Sequence, residues 1–425
     1  MITKIEATNY RCLRSVSQTL AGFHVVAGPN GSGKSTFFEV PKVMAAFGRD
    51  GLGALWEASH ATRFEELLCN GSGASLELAV EMAVPDAVRD GLRMNGKAPR
   101  VVRYEFRIGY GPEDGPEDRT PRILNENLWL LPESAPTLRS QVVQMELEFP
   151  SASRNDYAVV HDAAPRGANW QIVAKKTPAG NSYFKAETTK WNLQIRNPAQ
   201  ESALRSLPSD ERFPLSNWFR QQLLEGAHHL ALNSEAMRQS SPPLKKGGFL
   251  PDGSNLPHVV AALPEGMTGK AAWVEHLRTV LPIESIETVT REDTRFSHLL
   301  VHYRHGATVP SWHLSDGTLR LLALTLLPYL PQTGAVFFIE EPENGIHPQA
   351  VESVFQSLNS LYEGQVLVAT HSPVLVGLCE PRHLLCFSKS AAGETDILTG
   401  SEHPKLRDWQ RELPLSRLYA AGILS

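Results

Sequence analysis

The octapeptide Gly28-Pro29-Asn30-Gly31-Ser32-Gly33-Lys34-Ser35 constrains the fold more than any other stretch of the chain. It matches the pattern of Gly, four residues, then Gly-Lys-Ser/Thr. The run before it, Phe23-His-Val-Val-Ala27, reads as a short buried strand, and residues 34–47 have helical content. Strand, glycine turn and helix in that order make a phosphate cradle. Without Cβ atoms the glycines let main-chain N–H groups converge on an anion, and the helix N-terminus adds the positive end of its dipole. Lys34 neutralises the outer phosphates, and Ser35, followed by Thr36, offers a hydroxyl to Mg²⁺. A plain glycine turn gives no reason for Lys and Ser to follow it. Pro41 is expected to kink the helix or shift its register, and Gly48 to end it.

Composition narrows the partners. The 425 residues leave room for two or three structural units, and 42% apolar with 20% charged residues is ordinary for a folded protein. Lysine and arginine total 41 against 46 acids, a net charge of −5, so any nucleic-acid contact has to be local. Cys12, Cys69, Cys379 and Cys386 form no pair at zinc-finger spacing, which fits neither a disulfide framework nor a structural zinc site and suits a reducing cytoplasm. The N-terminus lacks the apolar core of a signal peptide. The most apolar run, 319–330, is broken by Arg320 and Pro328 and falls short of the roughly 20 residues that span a bilayer, so no membrane partner is expected.

Further along, strands expected near 285–290, 298–305, 335–339, 366–370 and 384–387 alternate with helices near 270–281, after Ser315, and at 348–362, the mark of an α/β sheet. Polar groups close three of the buried strands. Ala335-Val-Phe-Phe-Ile339 runs into Glu340-Glu341, and Val366-Leu-Val-Ala-Thr370 runs into His371, while the strand at 23–27 runs into the glycine loop. Open α/β sheets bind ligands outside the carboxyl ends of their strands. Taken singly, the acid pair is unusual at a strand end and more than a solvated loop start, whereas the histidine reads as structural. Together with the loop they read as a Mg²⁺-dependent nucleoside triphosphatase. Leu314-Ser315-Asp316-Gly317-Thr318 opens a leucine-rich helix, and by itself Ser315 or Asp316 is a helix cap.

The order of these motifs, Gly28–Ser35, Leu314–Gly317, Glu340-Glu341-Pro342 and Thr370-His371-Ser372-Pro373, resembles that of ABC-type ATPases of the SMC, RecF and OLD class. The stretches Asp252-Gly-Ser-Asn-Leu-Pro257, Leu314–Thr318 and Glu340-Glu-Pro-Glu-Asn-Gly-Ile-His-Pro348 are similar to those of compact RecF-like ATPases of bacterial defence clusters, over about 1–85 and 250–390. The resemblance implies a P-loop fold with an ABC-type head, a mixed or parallel sheet and an inserted α+β subdomain. It also implies ATP and Mg²⁺, and a homodimer in which Ser315 and Gly317 of one protomer meet the γ-phosphate held by Lys34 of the other. In that scheme Glu340 holds Mg²⁺ through water, together with Ser35. Glu341 activates the attacking water, and His371 senses the γ-phosphate. Arg11, in Asn9-Tyr10-Arg11, resembles a short segment that lies near the nucleotide, contacting phosphate or ribose, whereas Tyr10 reads equally as core. The chain departs from the pattern at Glu340, where Asp is usual, and at Asp316, where Gly is usual. Gln141 and Gln144 are candidates for the Q-loop.

The remaining regions set expectations for partners. We read 1–85 and 261–398 as the two parts of the ATPase head, 86–260 as an insertion and 399–425 as a C-terminal tail. The turn-rich acidic stretch 111–118 is expected to face water. A hairpin is expected from 169–176 and 182–196 around Thr177-Pro-Ala-Gly-Asn181, then a helix over 217–232. Residues 151–205 hold eight basic residues (Arg154, Arg166, Lys175, Lys176, Lys185, Lys190, Arg196, Arg205) against four acids, with Trp170, Tyr183, Phe184 and Trp191 interleaved. Such a hairpin either clamps a DNA backbone or is a solvated face with its aromatics buried. His228-His229 reads as structural. The function expected is that of a dimeric ATP-hydrolysing switch or motor coupled to DNA or to a separately encoded effector such as a nuclease, with a slow ATP-gated scaffold as the alternative. A nuclease domain within this chain is disfavoured, because only 54 residues follow His371.

Overall fold

The computed structural model describes residues 1–90, 99–111, 120–135, 158–243, 248–264, 266, 269–330, 334–407 and 413–424. They form two compact units. The first comprises 1–21, 29–227 and 387–398, and the second 22–28, 228–386 and 399–425.

The first unit is built on an eight-stranded antiparallel sheet. Its strands run in the spatial order Leu13–Thr19, Ile2–Tyr10, Ser75–Ala83, Val101–Gly109, Arg122–Leu131, Gln171–Lys176, Asn181–Lys185 and Asn192–Arg196. Alternation along 101–109 sends Val102, Tyr104, Phe106 and Ile108 to one face of the pleat, where all are buried. Phe106 there meets Phe47 of the helix Lys34–Asp50, with ring centroids 4.2 Å apart. That helix runs past Gly48, the residue expected to end it. Pro41 is buried inside it, and the stop lies at Gly51 (φ +81°), whose N–H donates to Phe47 O. Gly48 is needed for packing instead, since a Cβ there would lie 2.8 Å from Leu204 Cδ2.

The expected hairpin is present, with its second arm divided into Asn181–Lys185 and Asn192–Arg196. Most of its aromatics, but only two of its described cations, are used internally. Lys176 is buried and donates to Pro198 O and Glu201 O, and Lys175 donates to Asp162 O. Trp170 packs on Trp129 and His161, and Arg212 lies 3.7 Å over the Trp191 ring. Tyr183, Arg166, Lys185, Lys190, Arg196 and Arg205 remain exposed. Arg154, Gln141, Gln144 and residues 112–118 lie outside the described residues.

A six-stranded sheet runs in the order Ala227–Leu230, Val336–Glu340, Gln365–Thr370, Phe23–Ala27, Leu384–Lys389 and Thr395–Thr399, the four strands from Val336–Glu340 to Leu384–Lys389 being parallel, and the second unit also carries a separate three-stranded antiparallel sheet, Ile283–Thr290, Ser297–Tyr303 and Thr308–Pro310. The single helix expected over 217–232 is instead a helix, Pro214–Glu225, followed by the edge strand Ala227–Leu230. His228 and His229 on that strand stack on Phe337 and Phe338 of its neighbour, the structural role expected of them. No helix among the described residues is long and apolar enough to cross a membrane.

Candidate active site

Register brings the strand ends of the second unit level. Ala27 pairs with Thr370, and Ala369 with Glu340, so three adjacent parallel strands finish side by side. Gly28, His371 and Glu341 are the next residues on each. Parallel strands buried on both faces are rich in β-branched and aromatic residues, as Phe-His-Val-Val-Ala, Val-Phe-Phe-Ile and Val-Leu-Val-Ala are here, and polar chemistry is confined to their ends.

At the end of Val336–Glu340, Glu340 is exposed and Glu341 turns back with φ +47°, its N–H donating to Ala369 O at 2.8 Å. A left-handed glutamate costs roughly 1–2 kcal/mol, and such strain gathers at functional sites. Glu341 Oε1 lies 3.4 Å from His371 Nε2. Glu343 stands beside them and was not singled out in the sequence. Burial and the neighbouring Glu341 carboxylate push its carboxyl above the usual range, against the hydrogen bond that Thr370 Oγ1 donates to it. Thr370 Oγ1 in turn accepts from Ser372 N at 2.8 Å, which fixes the turn carrying His371. A second acid two residues after Glu341 was the available signal. His347, next along, caps the helix Pro348–Asn359 by accepting from Gln349 N.

Tyr419, in the helix Leu415–Ala420, is a second residue that no motif pointed to. Its hydroxyl accepts from Gly28 N (3.2 Å) and donates to Gly28 O (3.3 Å). Its phenol is held above the ordinary value by burial, with the Glu341 and Glu343 carboxylates adding to the shift.

Ser315 caps the helix Asp316–Leu326, its Oγ accepting from Thr318 N at 3.2 Å. Gly317 is packed so closely that a Cβ would lie 2.4 Å from Gly345 O, in the turn that follows Glu341. Thus Ser315, Gly317, Glu340, Glu341 and His371 all belong to the second unit, together with Gly28.

Residues 29–36 belong to the first unit. Pro29, Asn30, Gly31 and Ser35 are exposed, while Ser32, Gly33 and Lys34 are buried. Gly31 (φ +75°) and Gly33 (φ +102°) take conformations suited to glycine, and Lys34 Nζ folds back to donate to Pro29 O at 3.1 Å. Thr395 donates its hydroxyl to Ser32 O (2.9 Å) and its N–H to Cys12 O (2.8 Å), tying the loop to the turn after Arg11. Arg11 itself has φ +51°, lies 3.2 Å from Glu39 and donates to Ser59 O. Among the described residues no group of three or more His, Cys, Asp and Glu is placed to hold a metal ion.

A family model described as "AAA domain, putative AbiEii toxin, Type IV TA system" matches residues 23–377. The chain belongs to this family. No curated protein matches it. Among solved structures, an SMC head bound to the C-winged helix domain of ScpA shares 13% identity and a TM-score of 0.51, over 93% of this chain and 97% of that one. An SMC head with an extended coiled coil, bound to a ScpA C-terminal domain, from Pyrococcus furiosus, shares 12% identity at a TM-score of 0.48, over 100% and 98%. The SMC head domain from Thermotoga maritima shares 10% at 0.45, over 94% and 98%. The P-loop NTPase fold of the ABC and SMC type, expected from the motif order, is the fold of this chain.

Proposed function

We propose that this AAA-family protein is a Mg²⁺-dependent ATPase that works as a homodimer. The observation that carries the reading is the level ending of three parallel strands in Gly28, His371 and Glu340-Glu341. Residues Gly28 to Thr36 hold the triphosphate, with Lys34 on its outer phosphates. Ser35 and Glu340 hold Mg²⁺, which when bound neutralises charge on the β- and γ-phosphates. Glu341 accepts the proton of the attacking water, and His371, 3.4 Å from it, orients that carboxylate and faces the γ-phosphate. Ser315 and Gly317 complete the site of a second protomer. Arg11, which also contacts Glu39 and Ser59, meets phosphate or ribose beside the loop.

Hydrolysis is coupled to DNA or to a separately encoded effector such as a nuclease, with phage defence as the setting. The exposed hairpin face of Tyr183, Lys185 and Arg196 favours DNA. The test is ATP turnover of the wild type, Lys34→Ala and Glu341→Gln, with and without duplex DNA, at low salt and at about 200 mM, where phosphate contacts weaken. Lys34→Ala is expected to lose nucleotide binding. Glu341→Gln is expected to bind ATP, accumulate as a dimer and turn over at least ~10²-fold more slowly. Turnover of Glu341→Gln equal to wild type would remove Glu341 as the base, whereas negligible turnover of the wild type would favour an ATP-gated scaffold. A rate that ignores DNA would favour a protein effector.

A further inference from the structure

The residue at position 316 departs from the glycine usual in signature motifs, and the structure shows what the aspartate touches. Arg238, at the end of the short helix Ser234–Arg238, donates through Nη2 to Asp316 Oδ1. The same guanidinium donates from Nε (3.3 Å) and Nη2 (3.2 Å) to Leu314 O, and from Nη1 (2.6 Å) to Glu235 Oε1. The two residues flanking Ser315 are thus gripped by one planar, permanently charged group, a geometry that lysine cannot reproduce.

Arg238 is in turn fixed by the Asp252-Gly253-Ser254-Asn255 segment. Asn233 caps the short helix by accepting from Glu235 N and Ala236 N, and its own N–H donates to Asp252 O at 2.9 Å. Gly253 (φ +74°) leaves room for the buried Met237, since a Cβ there would meet Met237 Sδ at 2.6 Å. Asp252 Oδ1 accepts from Ser254 N (3.0 Å) and Ser254 Oγ (2.7 Å), which holds the turn. Arg320, one turn into the signature helix, donates to Leu232 O at 3.2 Å, a second tie between the same two segments.

We propose that Arg238 is a positioning residue for the signature motif. It sets the direction of Ser315 and of the N-terminus of the helix Asp316–Leu326 through Asp316 and Leu314 O. Asp316 is the anchor of this contact, so its presence in place of glycine adds a fixed orientation and removes nothing from the motif. The proposal rests on the reading of Ser315 as the group that meets the γ-phosphate on a second protomer.

The experiment compares the wild type, Arg238→Gln, Asp316→Asn and the double variant for turnover and for equilibrium binding of ADP. Each single variant is expected to lower kcat at least tenfold while ADP, which has no γ-phosphate, binds within twofold of wild type. The double variant should be no slower than the worse single, because both act through one contact. Arg238→Gln is then mixed with Lys34→Ala. Heterodimers hold one site with an intact loop and an intact signature, so the mixture should turn over several-fold faster than the two variants added together. A merely structural role for Arg238 gives no such rescue. Wild-type kcat in both single variants, additive losses in the double variant, or absent rescue would each overturn the proposal while leaving the ATPase reading in place. An inactive wild type would remove both.

Discussion

Gly33 holds the tightest position in the phosphate loop. Its φ of +102° is in the region that L side chains avoid, and a Cβ would sit 2.2 Å from Thr395 Oγ1 and 3.0 Å from Cys12 Sγ. Thr395 has no slack, since its hydroxyl and N–H are both used to hold Ser32 and Cys12. Gly33→Ala is therefore expected to cost about 1–3 kcal/mol in a denaturant titration and to weaken ATP binding at least tenfold by fluorescence titration. Full retention of both would mean that the loop refolds around the methyl group. Thr395→Val, which loses one hydroxyl bond and no space, should show a smaller fall of about 1 kcal/mol. Glu341 bears the opposite kind of strain: the left-handed backbone is kept although the side chain has no steric need of it. Glu341→Gly should relieve that strain, leaving stability unchanged or higher in the same titration, while ATP turnover is lost.

At the scale of elements, much was legible where chemistry and pattern coincide. The short apolar runs before Gly28, Glu340 and His371 are strands of one parallel sheet, and the residues that end them are the candidate site. What could not be read is which polar residues are buried. The alternation of 101–109 separates Arg103, Glu105 and Arg107 from the apolar set, but a period of two does not say that the polar face is also covered. Arg103 and Glu105 are fully buried. Arg103 stands opposite Glu81, which stands opposite Lys4, and Arg103 contacts Glu6 (2.5 Å), Glu81 (2.8 Å) and Glu105 (2.7 Å) besides donating to Val159 O. Glu105 accepts from Asn127, Trp129 and the His161 main chain, and, against its burial, the Arg103 guanidinium and the His161 side chain hold its carboxyl down at about 2. Partners more than 50 residues away, such as Val159 and His161, decide this burial, and no local window contains them. Tyr419 and Arg238 were missed for the same reason, being joined to Gly28 and Asp316 across 391 and 78 residues. Arg103→Met would strand three carboxylates. It is expected to cost about 3–5 kcal/mol by urea denaturation, whereas Lys185→Met on the exposed hairpin face should stay within ~0.5 kcal/mol.

Across the whole molecule, the buried histidines set how stability follows pH. Burial lowers His228, His276, His298, His383 and His403, and it pushes His24 down to about 4. His24 lies inside the strand that leads to the phosphate loop, its Nδ1 3.2 Å from His383 O. An unfolded histidine takes up a proton near pH 6.5, whereas the folded His24 stays neutral to about 4. The stability it contributes is therefore complete above pH 6.5 and is lost as pH falls from there towards 4. Linkage puts the loss from this one residue at about 2 kcal/mol between pH 7 and pH 5. His24→Gln removes the titration and keeps a donor for His383 O. Denaturant titrations of wild type and variant at both pH values should give slopes that differ by about that amount, the variant losing less on acidification. Since the same strand ends at Gly28, nucleotide should protect it: saturating Mg²⁺–ATP is expected to shift the acid transition to lower pH in the wild type and not in Lys34→Ala. An acid profile identical in wild type and His24→Gln would place the pH sensitivity on the other histidines or on the buried carboxylates of the antiparallel sheet.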